Sequence, residues 1–223
     1  MASSDYSQEF EQLSLSHWFR PLPEALKTQI LQRSAVRSFR KGEFLIREGA
    51  PPRGLYGLMH GRTRHVRSVS DGDEVLVHVG EPGIWFGEFP LLSGQPSVGS
   101  VIADAAVRAL FLPVGEFQRI VEGEPRYYRE FNRLLWERYA LLFRFMAEAQ
   151  GLAPEAWLRS RLIGVAEVQR GERPLLGPAT ITMSQSELAN MIGMSRQTLN
   201  MLLARLQERG MVEVGYRTIR LLS

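Results

Sequence analysis

Residues 184–206 constrain the fold more than any other stretch of this chain. Ser184-Gln-Ser-Glu187 is an S-x-x-E capping box, in which a hydroxyl and a carboxylate satisfy the free amides of a helix's first turn. It opens a helix with Leu188, Ala189, Met191 and Ile192 as its apolar positions. Gly193 can supply a left-handed turn residue, and Ser195 can cap a second helix carrying Leu199, Leu202, Leu203 and Leu206. Ala189 is small where two such helices must approach closely, and Leu199 can plug the core between them. Caps, small residue, glycine and apolar spacing together predict a helix-turn-helix.

The second helix of such a unit enters the major groove with its N-terminal residues at base edges. Arg196, Gln197, Asn200 and Met201 are therefore the candidate base contacts, and double-stranded DNA is the expected partner. Arginine can hold guanine O6 and N7, and glutamine adenine N6 and N7. Ser184, Ser195, Arg205 and Arg217 are placed for phosphates, which position without specifying. Strands at 211–214 and 218–222 around Gly215-Tyr216-Arg217 add a hairpin wing. A net charge of +3 and a pI of about 9.5 suit a polyanionic partner. Lys27 and Lys41 are the only lysines among 27 basic residues, a bias that genome-wide codon usage produces equally well.

Upstream, glycine and proline punctuate short β-rich runs at 44–46, 55–59, 63–69, 75–79, 100–103 and 109–112. Gly49, Gly61, Asp71-Gly72 and Gly83 mark the turns between them. Many short strands at near-regular spacing predict a closed antiparallel roll that encloses a pocket. Residues 1–38 read as short helices, with Leu13, Leu15, Trp18 and Phe19 clustered, and then Leu26, Ile30 and Leu31 on one face.

A short helix at 116–124 precedes a long one from Pro125 to about Gln150. Tyr128, Phe131, Leu135, Arg138, Leu142, Phe145, Ala149 and Leu152 alternate spacings of three and four, the a/d row of a coiled coil. Neighbouring faces are apolar as well, through Leu134, Trp136, Leu141, Phe143 and Met146. A helix this apolar cannot face water. One face is expected to meet the roll and another a second copy, in a parallel homodimer with Tyr128, Phe131, Leu135, Leu142, Phe145 and Ala149 at its interface. Gly151 and Pro154 mark a hinge, Trp157 to Val165 a further helix, and 171–178 a loop. The expected class is α+β: a jelly-roll-like antiparallel β-roll with N-terminal helices (1–124), a long dimerisation helix (125–151) and a winged helix-turn-helix (152–223).

Several chemistries are excluded. The chain has no cysteine, so it holds no disulfide, cysteine-ligated iron–sulfur cluster or thiol nucleophile. No apolar run reaches the length of a membrane span, and the N-terminus lacks the order of a signal peptide, so a cytoplasmic location without membrane contact is expected. No Ser/His/Asp group, paired carboxylates or phosphate-binding glycine loop supports catalysis, and the chain is not expected to be an enzyme. No metal-ligand spacing is present, because His60 and His65 straddle a turn without nearby carboxylates. A haem would need an axial ligand from His17, His60, His65 or His78, and a lone strand histidine such as His78 is usually structural.

Roll, long helix and winged helix-turn-helix, in that order, resemble the Crp-Fnr family of bacterial transcription regulators over most of residues 20–223. The matching stretches are Lys41-Gly-Glu-Phe-Leu-Ile-Arg-Glu-Gly49, residues 55–61, Phe86-Gly-Glu88 and residues 186–206. The resemblance implies a homodimer on a palindromic promoter site, RNA polymerase as a further partner, and an effector pocket, if any, among Trp85, Phe86, Gly87, Glu88, Phe89, Val98, Gly99, Leu142 and Phe143. In cyclic-AMP-binding members the segment after Gly-Glu ends in Arg-Ser or Arg-Thr, which grips the cyclic phosphate. Here Gly87 and Glu88 match, but that position reads Val98-Gly99, and Pro90 removes an amide from the cradle. Losing one charged partner of a buried pair costs roughly 2–5 kcal/mol, and Leu142 and Phe143 cannot hydrogen-bond an adenine through their side chains. Cyclic AMP is therefore not expected as a cofactor. Trp85, Phe86, Phe89 and Leu142 could line an apolar pocket instead, so a regulator needing some other small molecule, or haem, is the alternative. Gln197 and Met201 stand where the family commonly has Glu and Arg, so the usual half-sites are not expected either.

Overall fold

The computed structural model describes residues 7–14, 16–69, 73–170 and 175–222, with side chains for all of these but 7–10 and 168–170. Leu15, the Asp71-Gly72 turn and residues 171–174 of the expected loop lie outside the described residues. The chain forms two compact units, residues 1–140 and 141–223.

In the first unit, α1 (Ser7–Ser14) and α2 (Glu24–Arg33) lead into β1 (Ala35–Phe39), β2 (Phe44–Ile46), β3 (Gly54–His60), β4 (Thr63–Ser68), β5 (Glu74–Gly80) and β6 (Trp85–Phe86). Helix α3 (Glu88–Ser93), β7 (Ser100–Ala103), β8 (Val107–Pro113) and α4 (Val114–Gly123) follow. One 3₁₀ turn (Pro125–Tyr127) then starts α5 (Tyr128–Gly151). The strands make two antiparallel sheets, ordered β1-β8-β3-β6 and β2-β7-β4-β5, which is the expected roll.

Strand alternation makes two cores from these sheets. On β3, Tyr56 and Leu58 point between the sheets, into a cluster with Leu45, Phe86, Val101 and Phe111. Leu55 and Met59 point the other way, into a second cluster with Trp18, Phe19, Leu26, Phe117 and Phe131 from the helices. With both faces covered, β3 reads as a continuous apolar run. The N-terminal segment is also tied down by polar contacts: Trp18 Nε1 donates to the Glu130 carbonyl at 2.7 Å, and Arg133 donates to the Trp18 carbonyl at 2.8 Å.

Two parts of this unit differ from the sequence expectation. Residues 35–39 are a strand rather than the end of a helical region, because they pair antiparallel along β8, Ala35 opposite Phe111. That strand is exposed along most of its length, so it carries no apolar alternation to announce it. Likewise β6 and α3 occupy a stretch with no assigned element, and β6 is only two residues long.

The second unit contains the end of α5, then α6 (Pro154–Arg170), β9 (Ala179–Thr182), α7 (Gln185–Ile192), α8 (Arg196–Glu208), β10 (Val212–Gly215) and β11 (Thr218–Leu221). Helix α8 packs on α6, α7 and β10. The wing is a three-stranded sheet, β10-β11-β9, not the expected two-stranded hairpin. Strand β9 was hidden by its length of four residues and its place directly after a loop.

Candidate nucleic-acid interface and sensor pocket

The helix-turn-helix forms as its local sequence dictates. Ser184 accepts from the Glu187 amide, and the Glu187 carboxylate accepts from the Ser184 amide at 2.8 Å, completing the capping box. Gly193 ends α7 at φ +69°, a left-handed value that costs a side chain strain. Ser195 caps α8 by accepting from the Thr198 amide at 3.1 Å. Leu188, Ala189, Ile192, Leu199, Leu202, Leu203 and Leu206 are buried between the helices and the small sheet. Burying that face leaves Arg196, Gln197, Asn200 and Met201 together on the exposed face of α8.

The expected phosphate contacts divide into two groups. Ser184 and Arg217 line one cleft, between the start of α7 and the wing tip, together with Tyr216 and Arg196, an expected base contact. Arg217 sits at φ +54°, and its guanidinium lies 3.7 Å from the Glu187 carboxylate. Arg205 is ion-paired as well: Glu155 of α6 lies 3.3 Å from it and 2.7 Å from Arg209. Glu155 and the exposed Tyr216 were not singled out in the sequence. A lone glutamate and a turn tyrosine carry no local signal.

Within the first unit, the expected effector residues do not all face one space. Trp85 and Phe86 are adjacent on a strand and face opposite ways. Trp85 stacks on Phe19 at 5.1 Å in the helix-side core, whereas Phe86 stacks on Tyr56 at 5.4 Å between the sheets. Gly87 adopts φ +97°, and a Cβ there would meet the Gly54 carbonyl oxygen at 2.6 Å. Phe89 is exposed, as is Val98 at 54%. Leu142 and Phe143 are exposed in the second unit. Glu88 is buried, with Arg138 of α5 at 4.0 Å. Arg138, the one polar member of the heptad row, also donates to the Trp85 carbonyl at 2.8 Å. Burial pushes the Glu88 carboxyl up, and Arg138 opposes that shift.

His65 and His78 face each other across β4 and β5, ring centroids 5.4 Å apart, with Phe86 edge-on to His65 at 5.2 Å. Burial first, then His78 and Arg138, holds the His65 imidazole well below its ordinary 6.5. A folded value below the unfolded one means stability that is present above pH 6.5 and lost as the pH falls through it. Glu88 runs the other way: its raised value favours the fold below 4.5, and that contribution is lost as the pH rises through it. The roll's unfolding midpoint, followed by urea titration from pH 7 to pH 5, is expected to flatten in His65→Gln and to fall more steeply on acidification in Glu88→Gln. An unchanged profile in His65→Gln would remove this histidine from the account.

The expected dimer row on α5 is divided by burial within the chain. Phe131 is fully buried against Phe117 and Trp18 in its own unit. Leu135 is half-buried, and Phe145 packs edge-on to Trp157 with Arg161 over its ring. Phe131, the buried member, cannot meet a second copy. Of that row only Tyr128, Leu142 and Ala149 are exposed. Alongside Tyr128 and Leu142, the large exposed side chains of α5 are Trp136 at 62%, Tyr139, Phe143 at 63% and Met146. Trp136, Tyr139, Phe143 and Met146 keep the alternating spacing of three and four, one register away from the expected row. Among the described residues no cluster of metal-ligating side chains occurs, and no helix is long and apolar enough to cross a membrane.

Residues 36–124 match the cyclic nucleotide-binding domain family, and residues 157–223 match the Crp-like helix-turn-helix domain family. A CRP-like cAMP-activated global transcriptional regulator of Mycobacterium tuberculosis is 23% identical over 197 residues, 88% of each chain. FixK2 from Bradyrhizobium japonicum superposes with a TM-score of 0.70 at 19% identity, covering 84% of this chain and 92% of its own. A CRP/FNR-family transcriptional regulator from Thermus thermophilus gives 0.65 at 23% identity, covering 85% and 94%.

Proposed function

The chain belongs to the Crp-Fnr family of transcription regulators, and from that premise we propose that it works as a homodimer on a palindromic DNA site without needing cyclic AMP. DNA binding resides in its helix-turn-helix. The observation that carries the specific reading is the capped α8, whose buried leucines leave Arg196, Gln197, Asn200 and Met201 on one free face. Ser184 and Arg217, at the cleft beside it, supply phosphate contacts that set the register. Ser195 sits exposed at the start of α8 and adds a third. Arg205 takes that role only when it leaves Glu155. The protein acts by binding rather than catalysis, in the cytoplasm, with RNA polymerase as the machinery it influences.

Arg196→Ala is expected to cost about 1–3 kcal/mol of DNA affinity and to relax one base position. Selection of duplexes from a random pool, followed by titration of the enriched site, checks this. A loss that is uniform across all sequences would make Arg196 a phosphate contact instead.

The same selection tests the effector reading when run with and without cyclic AMP. Tyr56 and Phe86 stack between the sheets, and Val98 offers no charge for a cyclic phosphate. The same palindrome is expected under both conditions, with no micromolar calorimetric isotherm for the nucleotide. Enrichment only in its presence would overturn this reading.

A further inference from the structure

The mouth of the roll carries cationic groups that the DNA-binding reading does not use. Arg47 and Arg53 line a recess between β2, the β2–β3 connection and the segment around Pro90 and Ser97. Its walls are apolar through Ile46, Pro51 and Pro90, and no aspartate or glutamate is among its lining residues. Neighbouring Glu48 is committed elsewhere, accepting from the Ser68 amide at 2.9 Å. The Arg47 guanidinium lies over the Phe44 ring at 3.7 Å, which fixes its plane. Arg53 and Arg37 lie near enough to Tyr56 that their charge works against the upward shift of its buried phenol. Among the described residues, neither Arg47 nor Arg53 makes an ion pair.

Two guanidinium groups without a carboxylate, set at an apolar recess, form an environment for an anion with an apolar body. Guanidinium matches a carboxylate through two parallel N–H donors. At about 10–15 Å³ of such space per water-sized group, the 80 Å³ recess accepts a compact molecule rather than a purine nucleotide. We propose that this recess binds a small organic carboxylate, its charge held by Arg47 and Arg53 and its carbon chain against Ile46, Pro51 and Pro90. The site is separate from Glu88, which is buried beside Arg138 and does not line the recess. It also stands independently of the DNA-binding reading.

Ligand-observed NMR titration of the full-length protein with butyrate, its uncharged isostere butyramide, and inorganic phosphate tests the proposal. Butyrate is expected to saturate, with butyramide and phosphate each at least tenfold weaker. Arg47→Gln and Arg53→Gln are each expected to weaken butyrate at least tenfold. Both side chains are exposed, so the variants keep the fold, and retained binding to the selected duplex verifies it. Equal binding of butyrate and butyramide, tighter binding of phosphate, failure to saturate, or unaltered binding in both variants would overturn it. Loss of the carboxylate result with DNA binding intact removes only this site, whereas loss of sequence-selective DNA binding in the parent protein removes the regulator reading alone.

Discussion

Replacing Phe143 with aspartate is expected to convert the protein from dimer to monomer and to abolish tight binding to a palindrome. Phe143 is 63% exposed and lies in the row Trp136, Tyr139, Phe143 and Met146. Burying a large apolar side chain contributes about 1.5–3 kcal/mol, and a two-fold interface contains each residue twice. Losing both rings removes about 3 kcal/mol or more, over a hundredfold in the dimer dissociation constant. A carboxylate buried at such an interface also carries a desolvation cost. Sedimentation equilibrium across a dilution series reads the outcome directly. Half-site duplexes should still bind weakly, because α8 is untouched. A variant that remains a dimer with the parent dissociation constant would place the interface elsewhere. Phe131→Ala is the informative contrast, since that ring is buried in the roll's own core and its loss should lower the roll's stability while leaving association intact.

Leu199→Ala is expected to unfold the DNA-binding unit selectively. Leu199 is fully buried at the first turn of α8, where α7 and α8 meet. Truncating such a leucine costs about 2–5 kcal/mol, through lost transfer energy and the cavity left behind. Total domain stability is about 5–15 kcal/mol, so the loss is a large share of it. Scanning calorimetry should show one transition moved down by many degrees and a second, belonging to the roll, unmoved. Sequence-specific DNA binding should disappear near the lower transition. Gln197→Ala, on the exposed face of the same helix, should leave both transitions in place. If Leu199→Ala melts like the parent protein, the buried seam between α7 and α8 is not what holds the unit together.

How far each element was legible depended on the range of the forces that make it. The capping box, Gly193, the Ser195 cap and the leucine spacing act within a single helix or turn. Each therefore shows in a few consecutive residues, and the helix-turn-helix could be read with its exposed face. The main strands of the roll were legible through their turns. Strand β1 was not, because its pairing with β8 joins residues 68 to 76 positions apart and its own side chains are mostly exposed. Strand β9, four residues long, owes its existence to β11.

The heptad row shows the same limit. Apolar residues surround α5, so periodicity established that two faces must be covered but could not say which one the roll takes. Phe131 and Leu134 went to the roll's core, Phe145 went to Trp157, and Arg138 turned to Glu88. What remained exposed was the neighbouring row together with Tyr128, Leu142 and Ala149. In the same way, alternation on β6 sent Trp85 and Phe86 to different cores, a choice made by which sheet face the N-terminal helices cover.

The sequence by itself determined the order of roll, long helix and winged helix-turn-helix, the exposed face of α8, and the missing cassette arginine at Val98. These rest on local hydrogen bonds, steric preferences and the identity of single residues. Only the tertiary structure decided the outward row of α5, the clamp of Glu155 on Arg205 and Arg209, and the gathering of Arg47 and Arg53 at one recess. Those depend on which surfaces compete for burial and which charges meet across distant segments, and no short window of sequence contains both partners.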